Sequence, residues 1–175
     1  MVEATHLREL ERTALTVIRA AFPIAEPPSS AEMQNDHCPE CREVSAVFVG
    51  KRWDAITASD LAGNLSVCLL PAPGLRYYLP ALMLRCVEAP EQLDCVPDSV
   101  IATLSPPNNK PDAQLASLLA AVNQAQVAAV LAFLRVFEAR YKIDRFPPEA
   151  FEYVPASKVM VRAIAFWTER LSTAR

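Results

Sequence analysis

His37, Cys38, Pro39, Glu40 and Cys41 form the one compact group of chemistry-bearing residues in the sequence. Three chemistries are open to it. Two cysteines three positions apart at a helix start can share a zinc ion as thiolates. His37 would be the third ligand, although neighbouring side chains diverge, and Cys68, Cys86, Cys95 or His6 would have to complete the tetrahedron. Neither a second CxxC nor an HxxxH is present to supply the remaining ligands. The same spacing also suits thiol redox chemistry. A helix N-terminus lowers a thiol pKa, which makes Cys38 the nucleophile and Cys41 the resolving thiol. Such motifs usually follow a strand, whereas here an irregular arm precedes the pair. The third possibility is structural: cysteine packs as a small apolar residue, and His37, Glu40 and Glu43 tie the arm to a helix.

A second group is Arg76-Tyr77-Tyr78-Leu79-Pro80-Ala81. Arg76 offers a rigid fork to an anion. Tyr77 and Tyr78 either line a pocket or send their hydroxyls to buried carbonyls. Trp53, after Lys51 and Arg52, is a further candidate for a binding surface or for the core. Glu40 and Glu43 are three apart and share a helix face, a spacing common among inert surface carboxylates. Acid–base catalysis is poorly supplied. His6 and His37 are the only histidines, neither lies in an HExxH or GxSxG motif, and no catalytic set is readable.

The elements that must position these groups are helical. Leu7, Leu10, Ala14, Val17, Ile18 and Ala21 make one stripe, which predicts a helix over residues 3–21 ended by Pro23. Residues 23–36 form a Pro-rich arm. Proline suits the first helical position, so Asp36 to Cys38 should cap a helix from Pro39 to about Val49, with Cys41, Val44, Val47 and Phe48 inward. Short turns follow at Trp53–Ile56 and Ser59–Asn64, the second capped by Ser59 or Asp60. Leu75–Glu88 is apolar nearly all round and therefore central, with a kink at Pro80 that strips the Arg76 carbonyl of its helical donor. Residues 90–104 read as one or two short helices broken at Pro97, and residues 105–112 as an exposed loop. A helix over 113–121 comes next. Asn123 and Gln126 then resemble a capping box opening a helix to about Lys142. Pro147 and Pro148 mark a turn before a last helix, Ala156–Thr173. The expected fold is all-α: a single domain over residues 1–175, with six to eight helices around a kinked central one.

Composition narrows the function classes. Among 175 residues 52% are apolar, ample for a core. Only three glycines occur, at 50, 63 and 74, against fifteen prolines. So few glycines disfavour hairpin-rich sheets, and no GxGxxG or Walker-type loop exists. A net charge of −3 disfavours nucleic acid as a partner. The first 60 residues are acidic and residues 135–175 basic, two solvated faces of one globule or an acidic face that docks a basic partner. The stretches 67–84 and 115–134 are interrupted by polar residues or prolines, so neither is expected to span a membrane. Five cysteines, an odd number, behind a polar acidic start predict free thiols in a reducing cytoplasm.

The order His37-Cys38-x-Glu40-Cys41-x-Glu43, Gly50-x-x-Trp53 and Arg76-Tyr77-Tyr78-Leu79-Pro80-Ala81 resembles an uncharacterised bacterial domain family. Asn123-x-x-Gln126-x-x-Ala129-Val130-x-x-Phe133-Leu134 resembles its later segment, so the likeness spans about residues 20–140. The resemblance implies a short bacterial protein and carries over no activity, cofactor or functional residue. It suggests that the cysteine and tyrosine segments meet in space. The function expected is a non-enzymatic binding protein, such as an immunity or accessory protein that masks a protein partner. The alternative is a zinc-binding or thiol-redox protein built on Cys38 and Cys41.

Overall fold

Helix α4 (Ala72–Glu88) organises the molecule. Leu75, Tyr78, Leu79, Ala81, Leu82, Met83, Leu84, Cys86 and Val87 are all buried, so it presents apolar groups in nearly every direction. A helix without a polar face must be wrapped, and the other elements do the wrapping. The computed structural model describes residues 2–62, 66–143 and 156–173. Among them are eight α-helices, four short 3₁₀ turns and no strand, the all-α fold expected.

Helix α1 (Val2–Ala21) packs its Ala14 and Ile18 stripe on α7 (Gln124–Ile143) and α4. Helix α8 (Ala156–Thr173) covers another side of α7, with Trp167 fully buried and its indole N–H on the Leu104 carbonyl at 2.8 Å. Helix α5 (Val96–Thr103) lies between α4 and α8, and α6 (Ala113–Ala121) rests on α4. Helix α2 (Pro39–Phe48) and the four-residue α3 (Ala58–Leu61) close the remaining side.

Polar groups reach into this core where backbone needs them. The Tyr78 hydroxyl, on a fully buried ring, faces the carbonyls of Phe48 at 2.7 Å and Lys51 at 2.8 Å. It thereby pins the turn after α2, which Gly50 makes at φ +74, to the central helix. Burial pushes this hydroxyl up to a pKa of about 12. From α7, Arg140 donates to the Cys86 carbonyl at 3.0 Å and the Val87 carbonyl at 2.7 Å, the end of α4, and to Glu11 of α1 at 2.8 Å. One guanidinium thus joins three helices and satisfies carbonyls that a helix end leaves open.

Several expectations are refined. Helix α4 begins earlier than Leu75 because Pro73 fits its first turn, and it continues through Pro80. Pro97 does not break a helix but sits in the first turn of α5, where its missing N–H costs nothing. Part of the loop over residues 105–112 is not exposed, since Ser105 and Pro106 are buried. The capping box at Asn123 and Gln126 is present, both reciprocal bonds measuring 3.0 Å. Thr57, not Ser59 or Asp60, caps α3, with Asp60 returning the bond to the Thr57 N–H at 2.8 Å. Lys51 donates to the other Asp60 oxygen at 2.7 Å. The turn expected at Pro147 and Pro148 lies outside the described residues.

Two measurements check these contacts. Tyr78→Phe keeps the ring and removes the shared hydroxyl, so it should lower the unfolding free energy in urea by about 1–3 kcal/mol. The Lys51 ammonium, followed by the Thr57 hydroxyl and N–H, holds Asp60 down at a pKa of about 2. A depressed carboxylate stabilises the fold above its unfolded pKa, and the contribution is lost as pH falls through the folded value. Stability should therefore decline from about pH 4 towards pH 2, and Asp60→Asn should flatten that part of the profile.

Candidate functional site

The start of α2 is built by its own sequence. Cys38 takes an extended conformation and Pro39 opens the helix, so Cys38 is the N-cap. Its Sγ accepts the N–H of Cys41 at 3.1 Å, replacing the hydroxyl or carboxylate that usually caps a helix. The two Cα atoms are 5.1 Å apart, and a disulfide joins the side chains. Cys38 is half-buried and Cys41 is only 4% exposed.

This corrects the expectation of free thiols at these two positions, while Cys68 and Cys86 do remain outside any disulfide. It also bears on zinc. A disulfide has no thiolate to offer, so the set Cys38, Cys41 and His37 lacks both sulfur ligands in this state. His37 is exposed, and no group of three or more His, Cys, Asp or Glu among the described residues is placed to hold a metal ion. Deep in the bundle, burial raises the Cys86 thiol pKa far above its usual range, which makes it inert.

The candidate binding residues divide between two places. Trp53, Arg76 and Tyr77 meet in a cleft of about 380 Å³ between α4 and the arm. Its other walls are Pro27, Pro28 and Glu32 of the arm, Pro73 and Pro80 of α4, and Val122 and Gln126 where α6 passes to α7. The arm is held there from beneath. The Tyr77 hydroxyl donates to the Ala25 carbonyl at 2.6 Å, and the Trp53 indole N–H to the Pro23 carbonyl at 3.4 Å. Burial raises the Tyr77 pKa, against a smaller lowering by hydrogen bonding to the Trp53 backbone. Met33, fully buried, anchors the far end of the arm against Gly74, where a Cβ would come within 2.7 Å of its sulfur. The Arg76 side chain is exposed and makes no hydrogen bond or ion pair among the described residues. Its charge adds slightly to the lowering of the Glu32 pKa, which the Ser29 hydroxyl and N–H mainly cause.

Glu40 and Glu43 lie elsewhere, around a shallow hollow of about 340 Å³ shared with Asp60, Ser66 and Leu69. Tyr78 lines neither space, since its ring belongs to the core. The cysteine and tyrosine segments lie on different helices, α2 and α4, and Tyr78 reaches α2 at the end away from the disulfide rather than meeting the cysteine segment. Tyr78 grips the C-terminal end of α2, and the disulfide caps the other end, about 15 Å away for ten residues.

Two features escaped the sequence reading. The arm carbonyls of Pro23 and Ala25 serve as acceptors, and no local pattern announces this. Ser45 is only 5% exposed and its hydroxyl has no partner. Its position four residues after Cys41 was the available signal, because i and i+4 share a helix face.

No curated protein and no solved structure matches the chain. A family model does match, over residues 26–170. The stretch contains most of the cleft, the disulfide and the segments that resembled an uncharacterised domain family, and it continues well past residue 140. The chain belongs to the family of unknown function DUF6714.

Proposed function

We propose that the chain is a thiol–disulfide exchange protein whose working centre is Cys38 and Cys41. The observation that carries this reading is the Cys41 N–H aimed at Cys38 Sγ across 3.1 Å, at the first turn of α2. A thiolate at Cys38 would keep that bond and gain from the positive end of the helix dipole. The asymmetry of the pair supports the same reading. Cys38 is within reach of solvent, and Cys41 is sealed against the core, which suits an attacked sulfur and a leaving one. Absence of a βαβ context does not weaken the local chemistry, since the dipole and the N–H belong to α2 itself.

A second reading is a non-enzymatic binding protein that holds a protein partner in the arm–α4 cleft. What favours it is the exposed Arg76 guanidinium beside Trp53, Tyr77 and five prolines, in a cleft whose other charged groups are Glu26 and Glu32. Affinity capture from the source cells tests it, with Arg76→Glu as control. A stoichiometric partner lost on Arg76→Glu is expected, and no stoichiometric partner at all would count against the reading.

For the thiol reading, Cys41→Ser leaves Cys38 as a single thiol with its backbone donor intact. Exposed Cys68 serves as an internal reference. Iodoacetamide at pH 6, followed by peptide mass mapping, should label Cys38 at least about tenfold faster than Cys68. Equal rates would end the proposal.

A further inference from the structure

We infer that the outer face of α8 docks on the same face of a second copy of this chain, the two helices running antiparallel about a two-fold axis near Ala165. Neither the disulfide nor the cleft beside the arm takes part.

Three large apolar side chains are exposed among the described residues: Ile24, Val49 and Val161. Ile24 belongs to the arm and Val49 to the turn after α2. Val161 stands on the body of a long helix and is the most exposed of the three, at 62%. Met160, Ala163, Ile164 and Trp167 turn the inner face of α8 into the core. A helical turn takes about 3.6 residues, so Lys158, Val161, Ala165, Thr168, Glu169 and Ser172 share the outer face. All six are exposed, and half-buried Arg162 lies at the edge of the face on the Glu169 side.

The polar groups of this face divide into spent and unspent. The Thr168 hydroxyl donates to the Ile164 carbonyl and the Ser172 hydroxyl to the Glu169 carbonyl, both at 2.7 Å within the helix. Covering them leaves no donor unsatisfied. Lys158 and Glu169 make no side-chain hydrogen bond or ion pair among the described residues. Arg162 donates from Nε to Ser105 Oγ at 3.2 Å and keeps its terminal nitrogens free. The face therefore carries unpaired cations in its first half and an unpaired anion in its second.

That order complements itself when two copies run antiparallel. A two-fold axis at Ala165 sets positions equally far before and after it against each other. Arg162 of one copy then falls within one residue, about 1.5 Å along the helix, of Glu169 of the other. Both stand on the same flank of the face, so the ion pair closes, and symmetry makes it twice. A parallel pair would instead set Glu169 against Glu169 and Lys158 against Lys158. On the opposite flank, Val161 of one copy comes over Thr168 of the other and into a shallow hollow of about 540 Å³ between α7 and α8. Arg135 and Glu138, on the α7 side of that hollow, neutralise each other at 3.0 Å, so Val161 meets no unpaired charge there. Ala165, small and central, lets the helix axes approach to about 8–10 Å. One helix on one helix is a modest interface, so the dimer is weak and reversible.

Sedimentation equilibrium of the intact chain at concentrations up to about 1 mM tests this, a range that reaches weak dimers. A reversible monomer–dimer equilibrium is expected. Arg162→Glu and Glu169→Arg, each checked for unchanged helicity, should each weaken the dimer at least about tenfold by setting like charges opposite one another. The double variant carrying both reversals should recover the dimer to within about threefold of the original. Val161→Glu, at an exposed position that leaves the fold intact, should abolish it. A chain that stays monomeric throughout overturns the second copy as the occupant of this face. A dimer indifferent to all three single substitutions overturns the face itself. Two weakened charge reversals without recovery in the double variant overturn the antiparallel pairing.

Discussion

An apolar helix with no solvent face imposes itself on everything around it. Helix α4 cannot be stable unless its whole circumference is covered, because each large side chain left in water forfeits about 1.5–3 kcal/mol. Its neighbours differ in kind according to what they must cover. Long helices α1, α7 and α8 supply continuous apolar stripes, and α5 and α6 fill shorter gaps. On the remaining side the chain uses an arm, a ten-residue helix and a pair of short turns, and the disulfide, Glu40, Glu43 and Trp53 fall there. A patchwork wall leaves a cleft and a half-exposed helix start that a continuous helix would have closed.

The two candidate sites follow from this wall in different ways. The disulfide segment is local: N-cap, proline and second cysteine lie within four residues and need only α2 to be held still. Tyr78 does the holding at the other end. The cleft is assembled from afar. Its floor is α4, its rim is the arm, and two side chains from the floor grip the rim through backbone carbonyls.

That contrast explains what the sequence could and could not disclose. Asn123 with Gln126 was legible because each satisfies the other's N–H within one turn. Pro39 after Cys38 was legible for the same reason. At α3 the sequence suggested Ser59 or Asp60 as the cap, but Thr57 takes that place and Asp60 returns its bond from the third helical position, while Lys51, from outside the turn, holds the other Asp60 oxygen. The disulfide at Cys38 and Cys41 depends on an extended N-cap conformation that brings Cα atoms to 5.1 Å, a geometry beneath the resolution of spacing rules. The arm contacts cross 30 and 52 residues of sequence, so no window could have held both partners. Trp53 was weighed as core or surface, and it is both: a buried ring whose N–H reaches the rim.

Arg140 carries one more consequence. Its charge is neutralised by a single carboxylate, Glu11, while its remaining bonds go to uncharged carbonyls at the end of α4. A mostly shielded cation needs that counter-ion. Fraying of the first helix would therefore not stay local: it would leave a positive charge stranded between the fourth and seventh helices and loosen their junction. Terminus and centre are coupled through one carboxylate, so opening events at these two distant points should rise and fall together.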